Sequence, residues 1–365
     1  MVKLTVDYYK KGEMFGGVQE FLHDFKNIYP DFKEISFANA TNAIIGNIQR
    51  PEDFSFFEVE TSSFISQYLE KYEKIFKPDV IVKNSIVGTW KKHLTPMICI
   101  IQDNNILGPE ILHKHGYYNM HILNRYRQIF TKLQEMTMEK SDMIVASSNH
   151  LKDTYEKEFG MDIKVIENGI NTEIFKPLNN KNELREKYGI PKDKVVGITT
   201  TGFLPIKGWH IQAKLCHDFP DVFWIVIMKN RAEQKPKLNN IKIFSRIQRE
   251  ELPELLNTAD FFILPSAIEG CNMAAMEAMS CGLYTITTNS GYFWNPDMEK
   301  DIEIADFGIR VKNWVYEDYK KAVEEMLSGN HTFDPRKHIE NNGIDFNIWI
   351  GKWKKVIKKV INEKK

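Results

Sequence analysis

Two glutamates, Glu269 and Glu277, stand with seven residues between them in a stretch that runs from Pro265 to Gly282. The apolar run before it, Phe261, Phe262, Ile263, Leu264, is short and bulky, which predicts a strand buried on both faces. Gly270 permits a tight turn, Asn272 is the expected N-cap, and Met273 to Cys281 are mostly strong helix formers ended by Gly282. The pattern predicts strand, loop and short helix, with one carboxylate in the loop and the other in the helix. Open α/β sheets bind ligands outside the carboxyl ends of their strands, and a helix start offers unpaired N–H groups to an anion. A carboxylate accepts hydrogen bonds from paired sugar hydroxyls. Two of them beside such a helix start point to a sugar nucleotide, while two surface glutamates near an ordinary helix start remain the plainer reading of the spacing alone.

The block resembles the E-x7-E signature of retaining glycosyltransferases of the GT-B fold, specifically the family 4 nucleotide-sugar transferases. Glu269, Gly270, Glu277, Ala278, Met279 and Gly282 match that signature, and Ala259, Asp260, Pro265 and Ser266 match its lead-in. Cys271 and Asn272 stand where the family usually has Phe-Gly. The resemblance implies two Rossmann-like α/β domains facing across a cleft, retention at the anomeric carbon and no need of a divalent metal. It implies that Glu277 binds the ribose hydroxyls of the donor and Glu269 the transferred sugar, with Gly270, Cys271 and Asn272 lining the donor site.

Outside that block the resemblance is more local. In relatives the loop after the first strand of the second domain carries an arginine and, several residues on, Lys-Gly, both cations facing the donor pyrophosphate. Lys207 and Gly208 keep the second element, whereas Phe203 stands where the arginine is usual. Arg246, after the expected strand Ile241 to Ser245, is the candidate replacement. Gly16 and Gly17 follow the first strand and correspond to a Gly-Gly that faces the donor phosphates and the acceptor; taken alone, the pair is an ordinary tight turn. Glu167, Asn168, Gly169, Ile170 and Asn171 resemble the family's interdomain hinge, although an Asn-Gly after a strand is first a turn. Where relatives often carry a histidine that meets the donor sugar, this chain has Gln102 and Asp103, so Asp103 is the candidate there. His113 and His115 lie too far along and are expected at the surface or at a helix end.

The rest of the chain sets bounds. A length of 365 residues suffices for two domains with their own cores. With 49 basic and 49 acidic residues the formal charge is zero, which leaves no global field to recruit nucleic acid or an anionic membrane. Cys99, Cys216, Cys271 and Cys281 form no C-x-x-C pair, which favours reduced thiols, a cytoplasmic setting and no metal site. The first residues lack a signal-peptide core, and no apolar run reaches the roughly 18 residues of a membrane span.

Elements alternate as in a parallel sheet with covering helices. Strands are expected at 2–8, 33–37, 79–83, 97–102, 142–146 and 163–166, with helices at 62–76, 119–139 and 149–159. After an exposed charged helix at 181–187, strands follow at 195–200, 222–228, 241–245, 261–264, 284–287 and 308–311, with helices at 250–257 and 316–327. An acceptor-side domain is expected over 1–170 and a nucleotide-sugar domain over 171–345. The tail from Phe346 to Ile361 places Phe346, Trp349, Ile350, Trp353, Val356, Ile357, Val360 and Ile361 on one helical face, with Lys354, Lys355, Lys358 and Lys359 largely elsewhere. The stripe is expected to pack back on the N-terminal domain, with an anionic membrane surface as the other partner that such a helix could take. The implied partner is a nucleotide sugar, and the acceptor, whether lipid, glycan, protein or nucleic acid, is left open. Phe203 and the absent histidine keep a non-catalytic GT-B subunit in view, and a GT-B epimerase or phosphorylase shares the fold.

Overall fold

The computed structural model describes residues 4–8, 33–36, 73–75, 77–83, 93–202, 204–228, 238–245, 247–329 and 332–363, with the backbone alone for 4–8 and 33–36. The chain divides into two compact units, Met1–Glu167 with Trp349–Lys365, and Asn168–Ile348.

The first unit is built on a parallel sheet of β1 (Leu4–Tyr8), β2 (Lys33–Ser36), β3 (Val80–Lys83), β4 (Met97–Ile101), β5 (Met143–Ala146) and β6 (Lys164–Val165), in the order β2-β1-β3-β4-β5-β6. Strands β3 and β4 are buried along their whole length, as expected of apolar central strands covered on both faces, and the burial extends to Lys83 at the end of β3. Helices α1 (Leu107–Lys114), α2 (Met120–Tyr126), α3 (Lys132–Lys140) and α4 (Asn149–Phe159) accompany the sheet. The expected helix over 119–139 is interrupted by a π-helical turn at Arg127–Thr131, where Tyr126 and Phe130 stack with centroids 4.2 Å apart. Cys99, Ile101, Met138, Ile144, Leu151 and Tyr155 share one core.

The second unit begins with α5 (Lys181–Lys187) and β7 (Val195–Thr201), then α6 (Trp209–Asp218), β8 (Val222–Met228) and β9 (Ile241–Ser245). There follow α7 (Leu252–Leu256), β10 (Phe261–Leu264), α8 (Met273–Ser280) and β11 (Tyr284–Thr288). An edge hairpin of β12 (Ile302–Ala305) and β13 (Gly308–Val311), with α9 (Tyr316–Leu327) and α10 (Pro335–Asn341), completes it. The strand order is β12-β13-β11-β10-β7-β8-β9, parallel except for β12 against β13. The chain steps outward from β7 through β8 to β9, then returns to lay β10 on the other side of β7. The strand order therefore reverses between β7 and β10, the point at which doubly wound sheets bind ligands. Ile198, Ile225, Phe262, Leu264, Met276 and Met279 form the core beneath.

Helix α5 is not the fully exposed segment that its charged sequence suggests, because Leu184 and Arg185 are buried. Arg185 donates to Asp260 Oδ2 at 2.8 Å and to the carbonyls of Thr258, Pro191, Lys192 and Lys194. Asp260 Oδ2 also accepts from the backbone N–H of Val196 at 2.7 Å. A buried guanidinium is tolerable only when paired and hydrogen-bonded, and this one clamps the amino ends of β7 and β10 together.

The final helix, α11 (Phe346–Glu363), buries Trp349, Trp353, Val356, Ile357 and Val360 and exposes Lys354, Lys355, Lys358 and Lys359. Its segment from Trp349 belongs to the first unit, where Lys352 Nζ lies 3.9 Å from Glu167 Oε2. The apolar stripe is thus taken up within the protein. Among the described residues no helix is long and apolar enough to cross a membrane. Trp353 is 1% exposed, so Trp353→Ala is expected to lower unfolding stability by about 3–5 kcal/mol, read from urea denaturation curves.

Candidate functional site

The site is assembled from the loops that leave β7 and β10. After β7 the chain makes a single 3-10 turn at Pro205–Lys207 and enters α6 through Gly208. After β10 it runs from Pro265 to Asn272 and enters α8. The two loops touch closely: Ala267 N–H donates to the Ile206 carbonyl at 2.7 Å, and Gly208 sits with φ +69° where a Cβ would lie 1.8 Å from the Pro265 carbonyl oxygen. Only glycine fits both that conformation and that approach. The contact brings Lys207 Nζ within 2.7 Å of Glu269 Oε1.

The loop that carries Glu269 is held from beneath. Trp314 Nε1–H donates to the Pro265 carbonyl at 2.9 Å, and Glu269 N–H donates to Ser290 Oγ at 3.2 Å. Thr288 Oγ1 bonds the Ser266 carbonyl and the Tyr319 hydroxyl. Burial holds that tyrosine hydroxyl protonated well above its ordinary range, so it serves as a neutral strut under the loop.

Asn272 occupies the N-cap position of α8, but its side chain does not cap the helix. It adopts the left-handed conformation, φ 57°, and its Oδ1 accepts from Tyr292 N–H at 3.2 Å. This corrects the expected capping role. Positive φ also explains the replacement of a usual glycine by asparagine, which tolerates that region better than other side chains. The displaced amide is accommodated by Gly291, where a Cβ would lie 2.0 Å from Asn272 Oδ1. The helix start is left without a side-chain acceptor, which is the arrangement that receives an anion.

Cys271 is 6% exposed and packs its Sγ 3.9 Å from Met276 Sδ, so it belongs to the core under the loop. Glu277 lies one helical turn further on with a side chain only 4% exposed, and its Oε1 accepts from Arg249 Nη2 at 2.5 Å. The Arg249 guanidinium lies 4.6 Å from the centroid of the Phe175 ring. Sequence reasoning passed over Arg249; the signal available was a second arginine three residues after Arg246, in the loop that follows β9.

The second unit thus brings together Lys207, Glu269, Gly270, Cys271, Asn272 and Glu277. Asn168 is buried where the chain enters this unit, and Asn171 Oδ1 accepts from the N–H groups of Glu173 and Ile174, so the segment is built as a turn. Asp103 is exposed in the first unit just beyond β4, where its carbonyl accepts from the Tyr155 hydroxyl at 3.1 Å. His113 Nδ1 bonds the Tyr118 carbonyl oxygen at 2.7 Å and closes the end of α1, and His115 is exposed. Gly16, Gly17, Phe203 and Arg246 lie outside the described residues.

Two solved structures share the fold along nearly the full length of both chains. Sucrose-phosphate synthase from Thermosynechococcus elongatus aligns with a TM-score of 0.76 and 12% identity, over 99% of this chain and 100% of that one. Anabaena HepE, solved with UDP-glucose, aligns with a TM-score of 0.68 and 16% identity, over 97% of this chain and 99% of that one. The chain has the GT-B fold. Within this GT-B chain, residues 180–346, which hold Lys207, Glu269 and Glu277, match the family described as Glycosyl transferases group 1.

Curated relatives are nearer in sequence and match over a smaller share of the chain. The Escherichia coli UDP-Gal:alpha-D-GlcNAc-diphosphoundecaprenol alpha-1,3-galactosyltransferase is 25% identical, over 63% of this chain and 62% of its own length. An uncharacterized glycosyltransferase of Methanocaldococcus jannaschii is 24% identical, over 76% of this chain and 75% of its own length. The GPI3 subunit of the Saccharomyces cerevisiae phosphatidylinositol N-acetylglucosaminyltransferase is 26% identical, over 44% of this chain and 38% of its own length.

The loop contact supplies its own test. Gly208→Ala must leave the left-handed region or push the Pro265 carbonyl away, and is expected to cost about 2 kcal/mol or more. Gly202→Ala, where an added Cβ meets nothing within 4 Å, should stay within about 0.5 kcal/mol of the parent in the same denaturation experiment.

Proposed function

We propose that the protein is a nucleotide-sugar-dependent glycosyltransferase of the family 4 kind, working with retention and without a metal ion. The observation that carries the reading is the Lys207–Glu269 pair at the point where the strand order reverses, beside a helix start that no side chain caps. The donor diphosphate sits at that helix start, its charge met by the backbone N–H groups and by the Lys207 ammonium. As the bond between the anomeric carbon and the phosphate oxygen lengthens, negative charge grows on the leaving diphosphate, and Lys207 is placed to stabilise it. Glu269, which holds Lys207 in the structure, faces the transferred sugar. Glu277 accepts the ribose hydroxyls.

The second unit takes the donor in this reading, and the first takes the acceptor, with Asp103, Gly16 and Gly17 as its candidate contributors. The names of the relatives support UDP as the first nucleotide to test and a lipid-linked acceptor as the first class. A cytoplasmic setting accords with four buried, free cysteines. An intact Lys207–Glu269 pair weighs against the non-catalytic subunit and the epimerase.

Loss of the leaving-group cation is the direct test. Lys207→Ala is expected to lower turnover by about 100-fold or more, measured as donor hydrolysis or transfer, while the thermal melt stays near that of the parent. Chelation with EDTA should leave the parent rate unchanged; loss of activity that manganese or magnesium restores would overturn the metal-free mechanism.

The two glutamates are expected to separate kinetically. Ribose is remote from the breaking bond, so Glu277→Gln should raise KM and weaken the free nucleoside diphosphate alike. The transferred sugar gathers charge in the transition state, so Glu269→Gln should depress kcat and leave nucleoside diphosphate affinity nearly unchanged. Steady-state kinetics beside titration calorimetry reads both, and the opposite pattern would exchange the two roles.

A further inference from the structure

The proposed function gives Glu277 a task without accounting for how a carboxylate that is 4% exposed is kept charged and aimed. An ionised carboxylate so far from water is costly unless it is paired. Its partner is Arg249, which comes from the loop between β9 and α7 and reaches Glu277 Oε1 with Nη2. Arg249 is itself 41% exposed, and its guanidinium rests 4.6 Å from the centroid of the fully buried Phe175 ring.

That ring is fixed independently of the arginine. The Phe175 carbonyl accepts from Ser280 Oγ at 2.6 Å and from Arg336 Nη1 at 2.9 Å, and Phe175 N–H donates to the Asn171 carbonyl at 2.9 Å. Ser280 is the last residue of the helix that carries Glu277. Arg249 thus spans two parts of one rigid assembly, a carboxylate on α8 and an aromatic shelf tied to the end of α8. A planar guanidinium is suited to both contacts at once, stacking on a ring while its edge donates to a carboxylate.

We propose that Arg249 is a positioning residue that holds the Glu277 carboxylate correctly oriented for the ribose of a nucleoside diphosphate, and that it acts on the nucleotide through Glu277. The inference rests on the proposed donor site. It makes Arg249 energetically silent once the Glu277 carboxylate is gone, which neither a direct phosphate contact nor a general packing role would do.

The test is a double-mutant cycle on the full chain, with UDP as the probe in titration calorimetry and thermal melts to verify folding. Arg249→Met is expected to weaken UDP about tenfold or more and, in donor hydrolysis, to raise KM with kcat little changed. Added to Glu277→Gln, the same substitution should change the dissociation constant by less than about twofold. Arg249→Lys, which keeps the charge and loses the planar fork, should fall between parent and Arg249→Met; it replaces Arg249→Met in the cycle should that variant fail to fold. Equal weakening in both backgrounds, or parent-like affinity in the single variant, overturns the proposal. A parent chain that binds no nucleoside diphosphate overturns the donor-site reading itself, a distinguishable result.

Discussion

The approach of two loops at the centre of the second sheet is the constraint on which the site depends. Gly208 meets the Pro265 carbonyl at a distance that admits no side chain, and Ala267 and Ile206 bond across the same seam. That seam lies above β7 and β10, neighbours in space that are separated in sequence by β8 and β9. Closing it places an ammonium from one loop on a carboxylate from the other. Neither group would have a defined position if the loops were free to separate.

The two strands beneath the seam are secured at their opposite end by a different device. Arg185 and Lys181 converge on Asp260, and Val196 N–H donates to the same carboxylate. A guanidinium that satisfies four carbonyls and one carboxylate loses little by its burial, whereas an isolated one would be expelled. Arg336 plays a comparable part beside the site, donating to the carbonyls of Thr172, Phe175 and Ser280. Through it the turn near Asn168 and the end of α8 become one body, and Phe175 becomes a fixed shelf. Charged side chains in this unit thus fasten backbone to backbone.

Helix α8 shows how local departures from a motif are reconciled in three dimensions. Asparagine in place of glycine at 272 keeps the left-handed start of the helix, and its amide is turned aside to Tyr292 over Gly291. Cysteine in place of phenylalanine at 271 retreats into the core against Met276. Both substitutions leave the backbone N–H groups of the helix start without a side-chain cap.

Sequence pattern located β7 to β11 and β13 to within a residue or two: β8 and β10 are unbroken apolar runs, and the others are mostly apolar or β-branched segments bounded by turn residues. The sequence likewise offered Glu269, Glu277 and Lys207 as candidates, through the spacing of the glutamates and the resemblance of the surrounding segments. It missed β12, a short edge strand whose sequence alternates weakly, and the π turn that divides the long helix of the first unit. Arg249 went unnoticed because its inward turn depends on where Phe175 and Glu277 already stand, and both are brought there by α8 and Arg336. The sequence by itself determined most of the strands and the fold class and offered the candidate site residues, because each is encoded within a few residues. Only the tertiary structure decided the Lys207–Glu269 pair, the glycine seam and the partner of Glu277, because each joins segments tens of residues apart whose meeting is set by the strand order of the sheet.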